Sequence, residues 1–427
     1  MAMSAWHAPT AARPVHAEVR LPGSKSMMAR ALVLSAVAGG RSTITSPLRS
    51  RDSDLMLAGL AAMGTRIDSG SDQTWTVDPA RLAGPARIDV GLSGTVMRFV
   101  PPVAALADGP VAFDGDPRAR HRPLGPLVRG LREIGAHIDA TDTVDGGGLP
   151  LTVYGDGHVT GGEVRIDASA SSQFVSGLML AGARFDRGVV IRHVGPPVPS
   201  APHLRMSVAM VRAAGGAVDD GTPDVWSVEP GKLAGRTWDI EPDLSGAAPF
   251  LAAALVTGGA VTVPQWPLDT TQPGDQLRDL LTRIGGTTTL TEAGLTVRGT
   301  GTIHGIDADL GEVSELTMVI AALAALADSP SRLVGIGHVR GHETDRLAAL
   351  ARELGSLGAR VTTLPDGLEI VPRPLHGIVF ETYDDHRMAH AAAVIGLAVP
   401  GVELSDVACT SKTMPDFPAL WTDMVTG

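Results

Sequence analysis

Residues 275–299 read DQLRDLLTRIGGTTTLTEAGLTVRG, and this stretch decides the fold. Leu277, Leu280, Leu281 and Ile284 recur every three or four positions, the spacing of one face of an α-helix. Gly285 and Gly286 stop that helix, and the Thr-rich run after them reads as a strand, a turn and a returning strand, LTVRG. The same unit recurs along the chain. Ser53 to Gly64 leads into TRID and TWTVDP, and His121 to Gly135 into AHIDA and LPLTVYG. LRMSVAMVRAAGGAVDD pairs with VWSVEP, and TDRLAALARELGSLGARVTTL with LEIVP. The helix-ending glycines Gly64, Gly135, Gly215, Gly285 and Gly358 lie about 70 to 80 residues apart, a repeat on the scale of a domain-building unit rather than a solenoid.

Five copies are clear, and the count leaves open a sixth, split between the chain ends. Each copy has an apolar helix stripe to bury against a sheet face, so several copies can pack with helices inside and sheets outside. The texture changes at Trp238 to Asp243, where strand and turn give way to an Ala-rich helix. One domain is therefore expected at 22–239 and a second at 240–427 together with residues 1–21. Composition alone does not join that first segment to the second domain.

Bulk properties exclude several classes. At 427 residues the chain can form two domains with sizeable cores, and with 4% aromatics those cores must be mainly Ala, Val, Leu and Ile. A net charge of -11 argues against general affinity for nucleic acid or an anionic membrane. The one cysteine, Cys409, rules out an internal disulfide and reads as a small buried hydrophobe. The start has no continuous apolar segment, and the apolar run from Ala247 to Val263 is broken by Pro249, Gly258 and Gly259, so a cytoplasmic protein is expected.

Several helix starts carry polar chemistry. LPGSKSMMARALVLSAVA (21–38) places Ser24, Lys25, Ser26 and Arg30 where backbone amides and side chains can hold an anion; an ordinary capped helix with solvated charges fits equally. It lacks the spacing of a Walker A loop. GLSGTVMRFVPP (91–102) repeats the theme with Gly91, Gly94 and Arg98, and DPRARHRP adds Arg118, Arg120 and Arg122. Ser169, Ser171, Ser172 and Gln173 precede another apolar helix, where they can cap it or bond a polyhydroxylated ligand, and Ser200 and His203 open the next.

Three later starts combine carboxylate, imidazole and cation. These are Glu312 and Glu315 in GEVSELTM, then His342, Glu343, Asp345 and Arg346 in GHETDRLA, and Asp384, Asp385, His386 and Arg387 in YDDHRMA, with Lys412 following in CTSKTMPDFP. Any one reads as a helix cap. Their recurrence points to acid/base groups beside anion clamps. His386 and His390 stand four apart without the Glu of HExxH, and no metal site is expected.

In order, PGSKSMMAR, GLSGTVMRF, DPRARHRP, SASSQF, GHETDRLA, YDDHRMA and CTSKTMPDFP resemble the motifs of the 3-phosphoshikimate 1-carboxyvinyltransferase (EPSP synthase) family, over residues 15 to 424. The likeness is to its actinobacterial form. It implies a two-domain inside-out α/β barrel of six βαβαββ units, the enolpyruvyl transferase fold, with substrates between the domains. It implies transfer of the enolpyruvyl group of phosphoenolpyruvate to the 5-hydroxyl of 3-phosphoshikimate by addition and elimination, in aromatic amino-acid biosynthesis. It further implies no cofactor, a monomer, and glyphosate as a possible inhibitor.

Carried over position by position, the resemblance gives Lys25, Ser26, Arg30, Ser171, Ser172, Gln173, Ser200, Glu315 and His342 to 3-phosphoshikimate, within the 22–239 domain and its neighbour. It gives Lys25, Gly94, Arg122, Gln173, Arg346, Arg387 and Lys412 to phosphoenolpyruvate, and catalytic positions to Glu315, Glu343, Lys25 and His386. Four positions depart from the family pattern: Glu315 stands for Asp, His342 for Lys, His338 for Asn and His203 for Tyr. The competing readings are a UDP-N-acetylglucosamine enolpyruvyltransferase, which usually carries Cys or Asp in the loop matching DGDPRARHRP, and a non-catalytic anion-binding regulator.

Overall fold

The computed structural model describes residues 5–427 and divides into two compact units, one of Gly23–Ile240, the other of the chain up to Pro22 with Glu241–Gly427. Residues 1–4 of the expected second domain lie outside the described residues. In each unit the βαβαββ pattern is plain. Asp307–Asp309, the helix Thr317–Ala325, Ser331–Val334, the helix Arg346–Leu357, Arg360–Thr363 and Leu368–Val371 make one copy. Its sheet runs from a parallel edge pair to an antiparallel hairpin: Asp307 pairs with Arg332 in parallel, Ser331 with Ile370 and Arg360 with Val371 antiparallel. Among the described residues there are five such four-stranded sheets and one of three strands.

Two of the sheets are completed from remote sequence. Thr237–Asp239 lies parallel to Ser42–Thr45 in the Gly23–Ile240 unit, and His16–Glu18 lies parallel to Ala260–Pro264 in the other. The three-stranded sheet closes the sixth copy: Val379–Phe380 runs parallel to Glu403–Leu404, which pairs antiparallel with Trp6–His7. The split repeat is thus joined by backbone hydrogen bonds.

The helices fall into two kinds. The expected amphipathic kind is represented by Arg346–Leu357, which buries Leu347, Leu350, Leu354 and Leu357 on one face. The second helix type is buried on all sides. In one unit these are Lys25–Val37, Gly94–Ala104 and Gln173–Gly182, and in the other Ala248–Thr257, Thr317–Ala325 and His386–Gly396. Small Ala and Gly side chains let three such helices pack against one another, and the apolar sheet faces surround them. This arrangement positions the site, because the polar N-terminal residues of the buried helices are held by a rigid core.

Candidate active site

In the Gly23–Ile240 unit, Ser24 caps the first buried helix, accepting from Met27 N at 3.5 Å, and Lys25 is its first residue. Lys25 Nζ lies 4.0 Å from Asp52 Oδ2, and Asp52 is itself buried. Ser26 Oγ is 3.4 Å from His203 Nε2. Arg30 is turned inward: Nε donates to Ser207 Oγ at 2.8 Å, Nη1 to Ser26 O at 2.9 Å, and Nη2 to His203 O at 3.1 Å and Ser176 Oγ at 3.4 Å. Only 2% of Arg30 is exposed, so its charge ties three helices together behind Ser26 and His203.

The other buried helix starts meet beside this one. Arg98 Nη1 donates to Gln173 Oε1 at 2.8 Å, and Arg122 Nη1 to Leu92 O at 3.0 Å. A methyl group at Gly94 would lie 2.9 Å from Arg122 Nη2 and 3.1 Å from Gln173 Oε1, so only glycine admits both side chains to that helix start. Ser171 Oγ accepts from Gln173 N at 3.3 Å, Ser172 precedes Gln173 at the helix start, and Ser200 opens its helix from a left-handed backbone, φ 54°. The three arginines of DPRARHRP are sorted by their partners. Arg118 binds Asp116 and Arg120 binds Asp114, which holds both carboxyls below their usual range; Arg122 alone reaches Gly94. An open groove of about 920 Å³ over the same unit's sheet, lined by Arg87, Asp89, Asp114, Asp116 and Asp139, includes none of the expected substrate residues.

The second unit holds a charged cluster at four helix starts. Arg346, 2% exposed, donates from Nε and Nη2 to Asp385 at 2.7 and 3.1 Å, from Nη2 to Glu343 Oε2 at 2.9 Å, and from Nη1 to His342 Nδ1 at 2.9 Å. Burial works against the charge of Arg346, but Asp385 and Glu343 more than offset it, and the guanidinium stays protonated. Since arginine has no acceptor, His342 Nδ1 carries the lone pair, which leaves its proton on Nε2. Lys412 Nζ, also buried, donates to Glu343 Oε1. Arg387 donates from Nη1 to Ser245 O at 2.7 Å and from Nη2 to Glu315 Oε2 at 3.3 Å. His386, buried, follows the cap residue Asp385 at the start of its helix.

Sequence reasoning missed three members. Ser245 offers its carbonyl to Arg387 as Leu92 does to Arg122, and the repeated LSG of 92–94 and 244–246 was the signal for it. Asp385 appeared as one acid among several, yet it is the residue that joins Arg346 to the Arg387 helix. Ser314 bonds His338 Nε2 at 2.9 Å, and burial, then the nearby Arg346, lower the His338 pKa to about 4. His390 is buried between His386 and Phe417 and is held neutral by burial and then by Arg387. The Cys409 thiol, donating to Asp406 O at 3.2 Å, is pushed up by burial and by nearby carboxylates and stays protonated.

The family model for EPSP synthase (3-phosphoshikimate 1-carboxyvinyltransferase) matches residues 9–421. The chain belongs to the EPSP synthase family. It transfers the enolpyruvyl group of phosphoenolpyruvate to 3-phosphoshikimate, releasing 5-enolpyruvylshikimate 3-phosphate and phosphate. Two solved structures of EPSP synthase from Acinetobacter baumannii share its fold, the two-domain α/β enolpyruvyl transferase architecture. One has a TM-score of 0.79 at 22% identity, covering 98% of this chain and 97% of its own; the other has 0.78 at 22%, covering 97% of each. Both substrates of an EPSP synthase are anions, which suits helix N-termini and fixed guanidinium groups. The family match selects the shikimate acceptor over the sugar-nucleotide and non-catalytic readings. Among the described residues no helix is long and apolar enough to cross a membrane, and no group of three His, Cys, Asp or Glu side chains is placed to hold a metal ion.

Proposed function

We propose that Lys25, Ser26, Ser171, Ser172, Gln173 and Ser200 bind 3-phosphoshikimate, with Arg30 keeping Ser26 in place, and that Glu315 and His342 address its ring hydroxyls. Gly94, Arg122, Gln173, Arg346, Arg387 and Lys412, with Lys25, bind phosphoenolpyruvate. This makes Gly23–Ile240 the unit that recognises the acceptor, and the other unit the main source of catalytic groups.

In the first step the 5-oxygen bonds to C2 of phosphoenolpyruvate while a proton adds to C3. In the second, C3 loses a proton and the C2–O bond to phosphate breaks. Glu315 accepts the hydroxyl proton, Glu343 serves C3, and Lys25 and His386 meet the departing phosphate.

The observation that carries the role of Glu343 is its place between Lys412 and Arg346, one on each carboxylate oxygen. Before substrate binds, the cations Arg346, Arg387 and Lys412 are matched by Glu343, Asp385 and Glu315. An incoming phosphate and carboxylate compete for those cations. That competition draws the cations off Glu343 and leaves its carboxyl oxygens open to exchange the C3 proton. The test is Glu343→Gln assayed for phosphate release and for deuterium entry at C3 in heavy water. Both should fall by about 100-fold or more, the usual scale of a lost acid/base group; unchanged exchange and turnover in folded protein removes Glu343 from the proton path.

From the same resemblance we infer a cytoplasmic monomer, similar in its motifs to actinobacterial members, with glyphosate as a candidate inhibitor.

A further inference from the structure

The segment 381–385, which delivers His386 and Arg387, has an unfavourable backbone. Tyr383 and Asp384 are consecutive left-handed residues, φ 56° and 54°. The short polar side chain of Asp tolerates that region, whereas a left-handed Tyr persists only where its surroundings impose it. A large part of the surroundings here is one helix, Arg346–Leu357. Its Glu353, 4% exposed, accepts from the Tyr383 hydroxyl at 2.7 Å on Oε1 and from Glu381 N at 3.2 Å on Oε2. Seven residues earlier, two turns along the same helix face, Arg346 binds Asp385 at 2.7 and 3.1 Å. The strained pair is therefore gripped from both sides by a single rigid element.

Further bonds close the loop. Tyr383 N donates to Glu381 Oε1 at 3.1 Å, Ser405 Oγ to the same oxygen at 3.0 Å, and Thr382 N to Ser405 Oγ at 3.1 Å. Beyond Tyr383, Asp385 N donates to Thr382 O at 2.9 Å and closes a turn across the left-handed pair, so the direction in which His386 and Arg387 leave is set by that backbone bond together with the two grips.

We propose that Tyr383 and Glu353 are positioning residues for the transfer reaction: their hydroxyl-to-carboxylate bond fixes the left-handed turn and so sets His386 and Arg387 in register with Glu343 and Arg346. The proposal rests on the site roles given above. Without the bond, the turn keeps its backbone closure from Asp385 N to Thr382 O but loses one of its ties to the Arg346–Leu357 helix, and small rotations of the Tyr383–Asp384 peptide then reach Asp385. Burial and the Glu353 carboxylate push the phenol up to about 12, so it remains a donor throughout any assay range.

Tyr383→Phe removes the hydroxyl alone. Misplacement of reacting groups by about 1 Å costs up to about 100-fold, so kcat should fall by about 10- to 100-fold per folded molecule. The KM for 3-phosphoshikimate should change less than kcat, because most of its proposed binding residues lie in the Gly23–Ile240 unit and only Glu315 is bonded to the displaced Arg387. Glu353→Gln, which keeps one acceptor oxygen, should fall between the parent and Glu353→Ala. Phosphate release gives the rates, and circular dichroism with gel filtration gives the folded fraction. Parental kcat and KM in folded Tyr383→Phe overturn the proposal, as does a loss that disappears when rates are expressed per folded molecule. If Tyr383→Phe does not fold, parental kcat in folded Glu353→Ala has the same effect. Glu343→Gln in the same assay separates the two levels. If it is inactive while Tyr383→Phe matches the parent, positioning alone fails; if both match the parent, the site roles fail with it.

Discussion

Replacing Asp385 by Asn changes one charge at the centre of the catalytic cluster. Asp385 is fully buried, gives both oxygens to Arg346 at 2.7 and 3.1 Å, and caps Arg387 N at 2.9 Å. Asn preserves the shape and the cap, but its amide nitrogen must face an Arg346 N–H, donor against donor. Removing one partner of a buried ion pair costs about 3–5 kcal/mol, and because Glu343 still neutralises Arg346 the lower end, about 3 kcal/mol, is expected. At a urea slope of about 2 kcal/mol per M, the unfolding midpoint of the unit that carries Glu241–Gly427 should fall by about 1.5 M. Amide hydrogen exchange of the His386–Gly396 helix in increasing urea measures this unit rather than the whole chain. Adding Arg346→Met removes the cation that faces the amide nitrogen and should recover part of the loss. A midpoint within about 0.3 M of the parent in Asp385→Asn, or a double variant clearly less stable than the single one, would refute the reasoning that an uncompensated buried charge governs this cluster.

Gly94→Ala should raise the KM for phosphoenolpyruvate by about 10- to 100-fold, the loss of one charge-assisted hydrogen bond, because the new methyl group displaces Arg122 Nη2 and Gln173 Oε1. Steady-state kinetics checks this, and an unchanged KM means that Arg122 lies outside the donor site. His338, with its folded pKa lowered to about 4 from 6.5, is neutral in the native state and takes up its proton more readily when unfolded. Its contribution to stability is therefore complete above pH 6.5 and is lost as pH falls toward 4. His390 acts in the same direction. His338→Asn, which can still bond Ser314, should flatten part of that decline in urea midpoints measured between pH 7 and 4; an identical profile in the variant assigns the decline to other groups.

Local periodicity made much of the architecture legible. The spacing of Leu277, Leu280, Leu281 and Ile284 and the glycines that follow specify helix and hairpin from neighbours in sequence, and the structure places Leu277–Arg283 and Thr287–Thr291 there. The pairing of the edge strands escaped that reading. Thr237–Asp239 and His16–Glu18 are three residues each, with no periodicity long enough to register, and they are defined by partners far away in the chain. The fully buried helices were read as helices from their apolar composition, but their packing partners were not legible, because a helix covered on every side has no polar face to set against an apolar one.

The sequence by itself determined the repeat, the order of motifs that places the chain in its family, and the inventory of acids, histidines and arginines at helix starts. Only the tertiary structure decided what each of those groups does. Arg30, Arg118, Arg120 and Arg122 are the same residue type on helices and loops of similar texture, yet one ties helices together, two pair with neighbouring aspartates and one reaches Gly94. The His342 tautomer and the clamp on Asp385 likewise depend on Arg346 meeting partners 4 and 39 residues away. A side chain's type fixes what it can donate or accept, whereas its role depends on burial and on which partners the fold brings within hydrogen-bond reach.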